Sequence, residues 1–188
     1  MADEFEAYRP ALGDPYPADW SEITDFAFST NLHLLRAKQA IVTGSDREAE
    51  YVVERDYRCT FKVDGRDHEI VVPSGMLTDL ASVPRLARWA VGRVGPHLEA
   101  AIIHDFLFIA WQDVSVDGAP RQPREQDFKF ANAMMQAAMT AAGVPRWKRT
   151  VIGIAVSSFV ARRVFDDANP EPRYVRPVAA VGETTEAA

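Results

Sequence analysis

A histidine and an aspartate lie side by side in an apolar run, AAIIHDFLF, that begins at Ala100. His104 and Asp105 fall on the same helical stripe as large aromatic residues, because the stripe repeats at i, i+3, i+4 and i+7. Ionisable groups are costly to bury, so this pair is expected to serve a chemical or a structural purpose.

A second apolar helix carries an aspartate in a comparable position. In RQPREQDFKFANAMMQAAM, Asp127 opens a face that continues with Phe130, Ala131 and Met134. If the two helices pack together, Asp127 can accept a hydrogen bond from one imidazole nitrogen of His104 and leave the other as a general base. The structural alternative is a buried hydrogen bond that ties the helices together.

Two carboxylates are candidate metal ligands. Asp105 and Asp79 offer the hard oxygen atoms that Ca²⁺ or Mg²⁺ prefers, and the carbonyl groups of residues 74–78 can add to them. The alternative for Asp79 is capping of a tight loop. Zinc is disfavoured because the histidines are scattered and Cys59 is the only cysteine.

Ser82 is a third chemical candidate, as the nucleophile of a Ser, His, Asp set. Nothing like G-x-S-x-G surrounds it, and a serine before V-P-R suits the N-cap of a helix that starts near Pro84. The capping role is therefore favoured.

The composition describes an ordinary globular chain of 188 residues with 47% hydrophobic residues and a net charge of −6. Its basic residues form no stripe, which disfavours a nucleic-acid role. The single cysteine excludes an internal disulfide bond. The sequence also predicts neither a signal peptide nor a membrane span.

Hydrophobic periodicity predicts an α+β fold, in which a small antiparallel sheet is followed by a bundle of three to four helices. The sheet comes from a hairpin over residues 51–72 that turns at Asp64 and Gly65. Residues 29–42 are ambiguous between strand and helix. Two helices are expected at about residues 84–91 and 98–112. A third contains Asp127 and ends at Gly143, and the last is expected at about 146–165.

The chain is predicted to divide into three parts. Residues 1–24, rich in proline and aromatic residues, form an extended N-terminal arm, residues 25–166 form a single α+β domain, and residues 167–188 form a C-terminal tail. The aromatic residues of the arm are expected to dock on a surface.

Three stretches occur in order along the chain, namely VPSGMLTDLASVPR from Val72, AAIIHDFLF from Ala100 and REQDFKF from Arg124. Together, within a similarity over about residues 51–165, they resemble the domain-of-unknown-function family thirteen-fifty-three, which is common in tailed phages and prophages. The chain departs from the family pattern at Met76, Phe108 and Gln126. The resemblance implies a phage or prophage setting, with the protein in the host cytoplasm during synthesis and then in the virion.

The helix with His104 is more distantly similar to that of phospholipase A2. The resemblance implies that His104 is the base, Asp105 a calcium ligand and Asp127 the carboxylate that orients the histidine. Phe108 replaces the tyrosine of that pattern, Gly75 marks the only region comparable to its calcium loop, and its disulfides are missing.

Two functional hypotheses follow. The first is a Ca²⁺- or Mg²⁺-assisted hydrolase of envelope or lipid esters, with His104 and Asp127 as catalytic dyad and Asp105 and Asp79 as metal ligands. The second is a non-catalytic component of a phage-like particle that docks on neighbouring subunits through its terminal arms, as part of an oligomer or a larger assembly.

Overall fold

The computed structural model describes residues 5–43, 47–78, 95–116, 118–167 and 173–177. The strands in these ranges are β1 (Phe5–Ala7), β2 (Ile23–Phe28), β3 (Leu34–Thr43), β4 (Arg47–Val53), β5 (Tyr57–Val63), β6 (Arg66–Val72), β7 (Leu77–Thr78), β8 (Ser115–Val116), β9 (Ala119–Pro120) and β10 (Val175–Pro177). The helices are α1 (Leu98–Ile109), α2 (Glu125–Ala141), α3 (Arg146–Val156) and α4 (Phe159–Asp166), with a 3-10 turn at Ala110–Asp113. The predicted α+β class is confirmed.

The predicted hairpin is confirmed as β5 and β6. Its turn residues, Asp64 and Gly65, have φ angles of 49° and 78°, and two left-handed residues give a turn whose twist matches that of the strands. Strand β2 pairs with the other side of β5, so the sheet order is β2-β5-β6. The inner face of β5 carries the buried side chains of Tyr57, Cys59, Phe61 and Val63.

The β pattern from Tyr51 does not continue as one strand. It breaks at residues 54–56, and the preceding strand β4 joins a second sheet of order β3-β4-β7. Residues 34–42 of the ambiguous region lie in strand β3.

Helices α1 and α2 form the centre of the molecule. From Ala100 to Leu107, α1 is buried on every side except at Asp105, which is typical of a helix packed on several faces. It contacts both β6 and α2, and α2 also contacts β2. Helix α1, which carries His104 and Asp105, therefore lies between β6 and α2.

The predicted helix over 146–165 is two helices, and that prediction is wrong in this respect. The helix is interrupted at Ser157 and Ser158. The Ser158 hydroxyl accepts a hydrogen bond from the backbone N–H of Ala161 at 3.2 Å. Serine side chains compete for backbone hydrogen bonds, so they favour helix starts over helix interiors.

The N-terminal segment packs along the chain's own domain. Tyr16 is 5% exposed, and its hydroxyl donates a hydrogen bond to the carbonyl oxygen of Leu107 in α1. Trp20 packs edge-on against Phe130 of α2, with ring centroids 5.7 Å apart. As far as residues 5–24 are described, the surface on which these aromatic residues dock belongs to the same chain.

The two ends of the described chain pair with each other. Strands β1 and β10 are antiparallel, with Phe5 opposite Pro177. On the other side of β10, the backbone N–H of Val175 donates a hydrogen bond to the carbonyl oxygen of Gly75 at 2.9 Å. Gly75 has a φ of +84°, and a Cβ atom there would lie 2.1 Å from the Val175 oxygen, so only glycine fits this contact.

No helix in the described ranges is long and apolar enough to cross a bilayer. Asp79, Ser82 and the predicted helix over 84–91 lie outside the described residues.

Candidate functional site

His104 is held in the core by an amide on the facing helix. The residue is 2% exposed, and its Nε2 lies 3.0 Å from Oδ1 of Asn132 on α2. With Asn132 accepting through Oδ1, the imidazole carries its proton on Nε2. Its Nδ1 atom is buried and has no hydrogen-bond partner in the described part of the chain.

The predicted hydrogen bond between His104 and Asp127 is not formed, and the register of α1 against α2 explains why. His104 faces Asn132, and Phe108 contacts Phe128 with ring centroids 5.8 Å apart, so the helices run antiparallel. Asp127 precedes Asn132 by five residues, or about 7.5 Å along a helix that rises 1.5 Å per residue. The carboxylate is thus displaced along the helix from the imidazole.

Asp127 is instead the centre of an arginine network at the start of α2. Its side chain is fully buried, and Oδ1 accepts hydrogen bonds from Arg121 at 2.7 Å and from Arg124 at 2.8 Å. Oδ2 accepts the backbone N–H of Arg124 at 3.0 Å, which caps the helix. Arg121 also pairs with Asp14 and lies 4.7 Å from the ring centre of Tyr16. This arrangement joins the N-terminal segment to α2.

Burial keeps His104 uncharged. Desolvation lowers the pKa of its imidazole from 6.5 to about 4, and the hydrogen bond with Asn132 opposes this shift. The ring also packs on Phe108, with centroids 4.1 Å apart. His104 is therefore a neutral imidazole at neutral pH, the state that both a base and a structural hydrogen bond require.

We expect His104 to make the fold sensitive to mild acid. Because its pKa is lower in the folded than in the unfolded chain, its stabilising contribution is complete above pH 6.5 and is lost as the pH falls towards 4. A pKa shift of this size corresponds to a loss of about 3 kcal/mol in the free energy of unfolding. Urea unfolding of wild type and His104→Gln between these pH values measures it. Equal pH dependence in the two proteins would contradict the buried neutral state.

The predicted metal ligands are described only in part. Asp105 accepts a hydrogen bond through Oδ2 from the Thr78 hydroxyl at 2.9 Å. This bond places α1 beside Thr78, the residue that precedes Asp79. Within the described residues, no group of three or more His, Cys, Asp or Glu side chains could hold a metal ion. The carbonyl groups of Ser74 and Gly75 accept hydrogen bonds from Tyr8 and Val175.

Two polar contacts of this region were not predicted from the sequence. Asn132 interrupts the apolar run FKFANAMM, and an amide in such a run is itself a signal of a buried hydrogen bond. Arg173 forms a paired contact with Asp113, at 2.7 Å through Nε and 2.5 Å through Nη2. Because Asp113 follows α1, this ion pair holds the residue two positions before β10 next to the end of that helix.

The family model described as "Protein of unknown function (DUF1353)" matches residues 51–156, which is more than half of the chain. The matched segment contains all three stretches that carry the resemblance, together with His104, Asp105 and Asp127. No curated protein and no solved structure matches the chain.

Proposed function

The chain belongs to the DUF1353 family of proteins of unknown function, and we propose that it is a non-catalytic component of a phage-like particle. It binds neighbouring subunits through its chain ends and acts from within the virion.

The observation that carries this proposal is the arginine network of Asp127. Both carboxylate oxygens accept hydrogen bonds from Arg121 or Arg124, so the carboxylate stabilises the start of α2 rather than an imidazolium. His104 in turn bonds to Asn132 across two packed helices. Buried polar groups that satisfy each other in this way specify helix packing.

The paired strands β1 and β10 support docking through the chain ends. Since Phe5 lies opposite Pro177, the two ends of the described chain lie next to each other on the domain. Two chain ends that are held together in this way can bind the same neighbouring subunit, which raises the effective concentration of the second contact.

A metal-assisted hydrolase is the second candidate, and one observation favours it. The Nδ1 lone pair of His104 is unpartnered among the described residues, and the lowered pKa leaves it unprotonated at neutral pH. In this alternative His104 is the base, and Asp105 and Asp79 hold Ca²⁺ or Mg²⁺. Asp127 has no part in it.

The test uses particles produced from the genome that encodes the chain, with the gene deleted and complemented. We expect mass spectrometry to detect the wild-type chain in purified particles and to find a chain ending at Pro177 at background level. The control is unfolding of the shortened chain, which should match wild type because β10 is retained.

Two results would contradict the proposal. One is equal incorporation of both chains, or absence of both from the particles. The other is hydrolysis of phospholipid or peptidoglycan by wild type with Ca²⁺ or Mg²⁺ that His104→Gln lacks, which would favour the hydrolase.

A further inference from the structure

Helices α3 and α4 carry large apolar side chains that the described chain leaves exposed. Ile154 is 71% exposed, Phe159 75% and Val160 70%. We call these exposed side chains together the α3–α4 face, and they are Trp147, Val151, Ile154, Phe159, Val160 and Val164. Large apolar side chains this exposed, in neighbouring helices, are typical of a binding surface.

The face is separate from the side of α3 that packs on the core. Trp147, Val151 and Ile154 follow each other at i, i+4 and i+7 and form one stripe, whereas Ile152 and Val156 point to the core and are buried. The helix is therefore apolar on two sides, and the core uses only one of them.

The charge of these helices is opposite to that of the whole chain. From residue 146 to residue 166 the sequence has five Arg or Lys residues and one acidic residue, Asp166, although the net charge of the chain is −6. Arg162 pairs with Glu125 and Asp166. Arg146, Lys148 and Arg163 form no ion pair within the described residues, so their charges are available to a partner.

We propose that the α3–α4 face binds the surface of an anionic lipid bilayer. Surface-binding helices combine Trp, Phe and aliphatic residues with neighbouring Lys and Arg, because the apolar side chains enter the lipid boundary while the cations meet the headgroups. Lys148 lies 5.5 Å from the ring centre of Trp147, which places a cation beside the aromatic residue.

Charge argues against a second copy of the chain as the occupant. Two α3–α4 faces in contact would bring Arg146, Lys148 and Arg163 of one copy close to those of the other, and like charges in an interface are unfavourable. Asp166 and Asp167, at the end of α4, lie beside Phe159, Val160 and Val164, and Asp166 is already paired with Arg162. This inference does not depend on the proposed particle role.

The experiment is co-sedimentation of the full chain with two kinds of vesicle, phosphatidylcholine alone and phosphatidylcholine with about one-third phosphatidylglycerol. We expect binding to the anionic vesicles only, and weaker binding at high salt. The double variant Ile154→Ser/Phe159→Ser should bind at least about tenfold more weakly. The matched control is Val116→Ser, an exposed valine on β8, which should bind like wild type.

A second pair of variants tests the charges. Lys148→Glu/Arg163→Glu should also bind at least about tenfold more weakly, since each cation near an anionic surface adds to the attraction. Arg66→Glu, an exposed arginine in β6, should leave binding unchanged. No binding to anionic vesicles, or equal binding by all variants, overturns the proposal. So does a dimer that Ile154→Ser/Phe159→Ser dissociates in ultracentrifugation while vesicles do not bind.

Discussion

Asp127→Asn is expected to lower the free energy of unfolding by about 3 kcal/mol, because it leaves a buried arginine without its main counter-charge. Arg121 is 7% exposed in its side chain and would keep only Asp14, which is 31% exposed. The change also weakens the cap on the backbone N–H of Arg124. Urea unfolding at neutral pH measures the loss.

Glu125→Gln is the matched control, because it removes a carboxylate from the same first turn of α2. Glu125 is 61% exposed and pairs with Lys129 and Arg162, so its loss should cost about 1 kcal/mol or less. If Asp127→Asn unfolded like the control, the network would not stabilise the helix start, and the carboxylate would be free for a chemical role.

The local parts of the fold could be predicted from the sequence. The hairpin turn at Asp64 and Gly65 needs only two residues that accept positive φ, and α1 and α2 follow from apolar periodicity. The break at Ser157 and Ser158 was missed because the apolar stripe continues across it, while the capping hydroxyl acts on a single N–H.

The pairing of the polar residues could not be predicted in the same way. Periodicity puts both Asp127 and Met134 on the inner face of α2, but it does not fix how far α2 slides along α1. The aromatic contact of Phe108 with Phe128 and the bond of His104 with Asn132 show the actual register. An axial shift of this kind depends on packing between residues distant in the sequence.

The N-terminal segment shows the same limit at longer range. Its prolines and aromatic residues predicted an extended segment that docks on a surface. The partners of Tyr16, however, are 91 and 95 residues away, at Leu107 and Trp111. No spacing rule reaches that far, so the sequence pattern identified a docking segment without identifying its surface.

Tyr16→Ala is therefore expected to destabilise the fold by about 3–5 kcal/mol, the cost of removing a large buried aromatic side chain. Tyr16 packs edge-on against Phe130, with centroids 6.4 Å apart, and lies under Arg121. Its removal would open a cavity beside α2 and expose the Asp127 network to water. Thermal and urea unfolding measure the effect, and limited proteolysis should cleave residues 5–20 faster than in wild type.

Two further variants separate the contributions of the tyrosine. Tyr16→Phe keeps the ring but loses the bonds to the Leu107 carbonyl and the Trp111 N–H, so it should cost about 1–2 kcal/mol. Ala18→Ser, at an exposed position of the same segment, should stay within about 0.5 kcal/mol of wild type. Wild-type stability in Tyr16→Ala would mean that the N-terminal segment does not stabilise the domain, and that its aromatic residues are available to a neighbouring subunit.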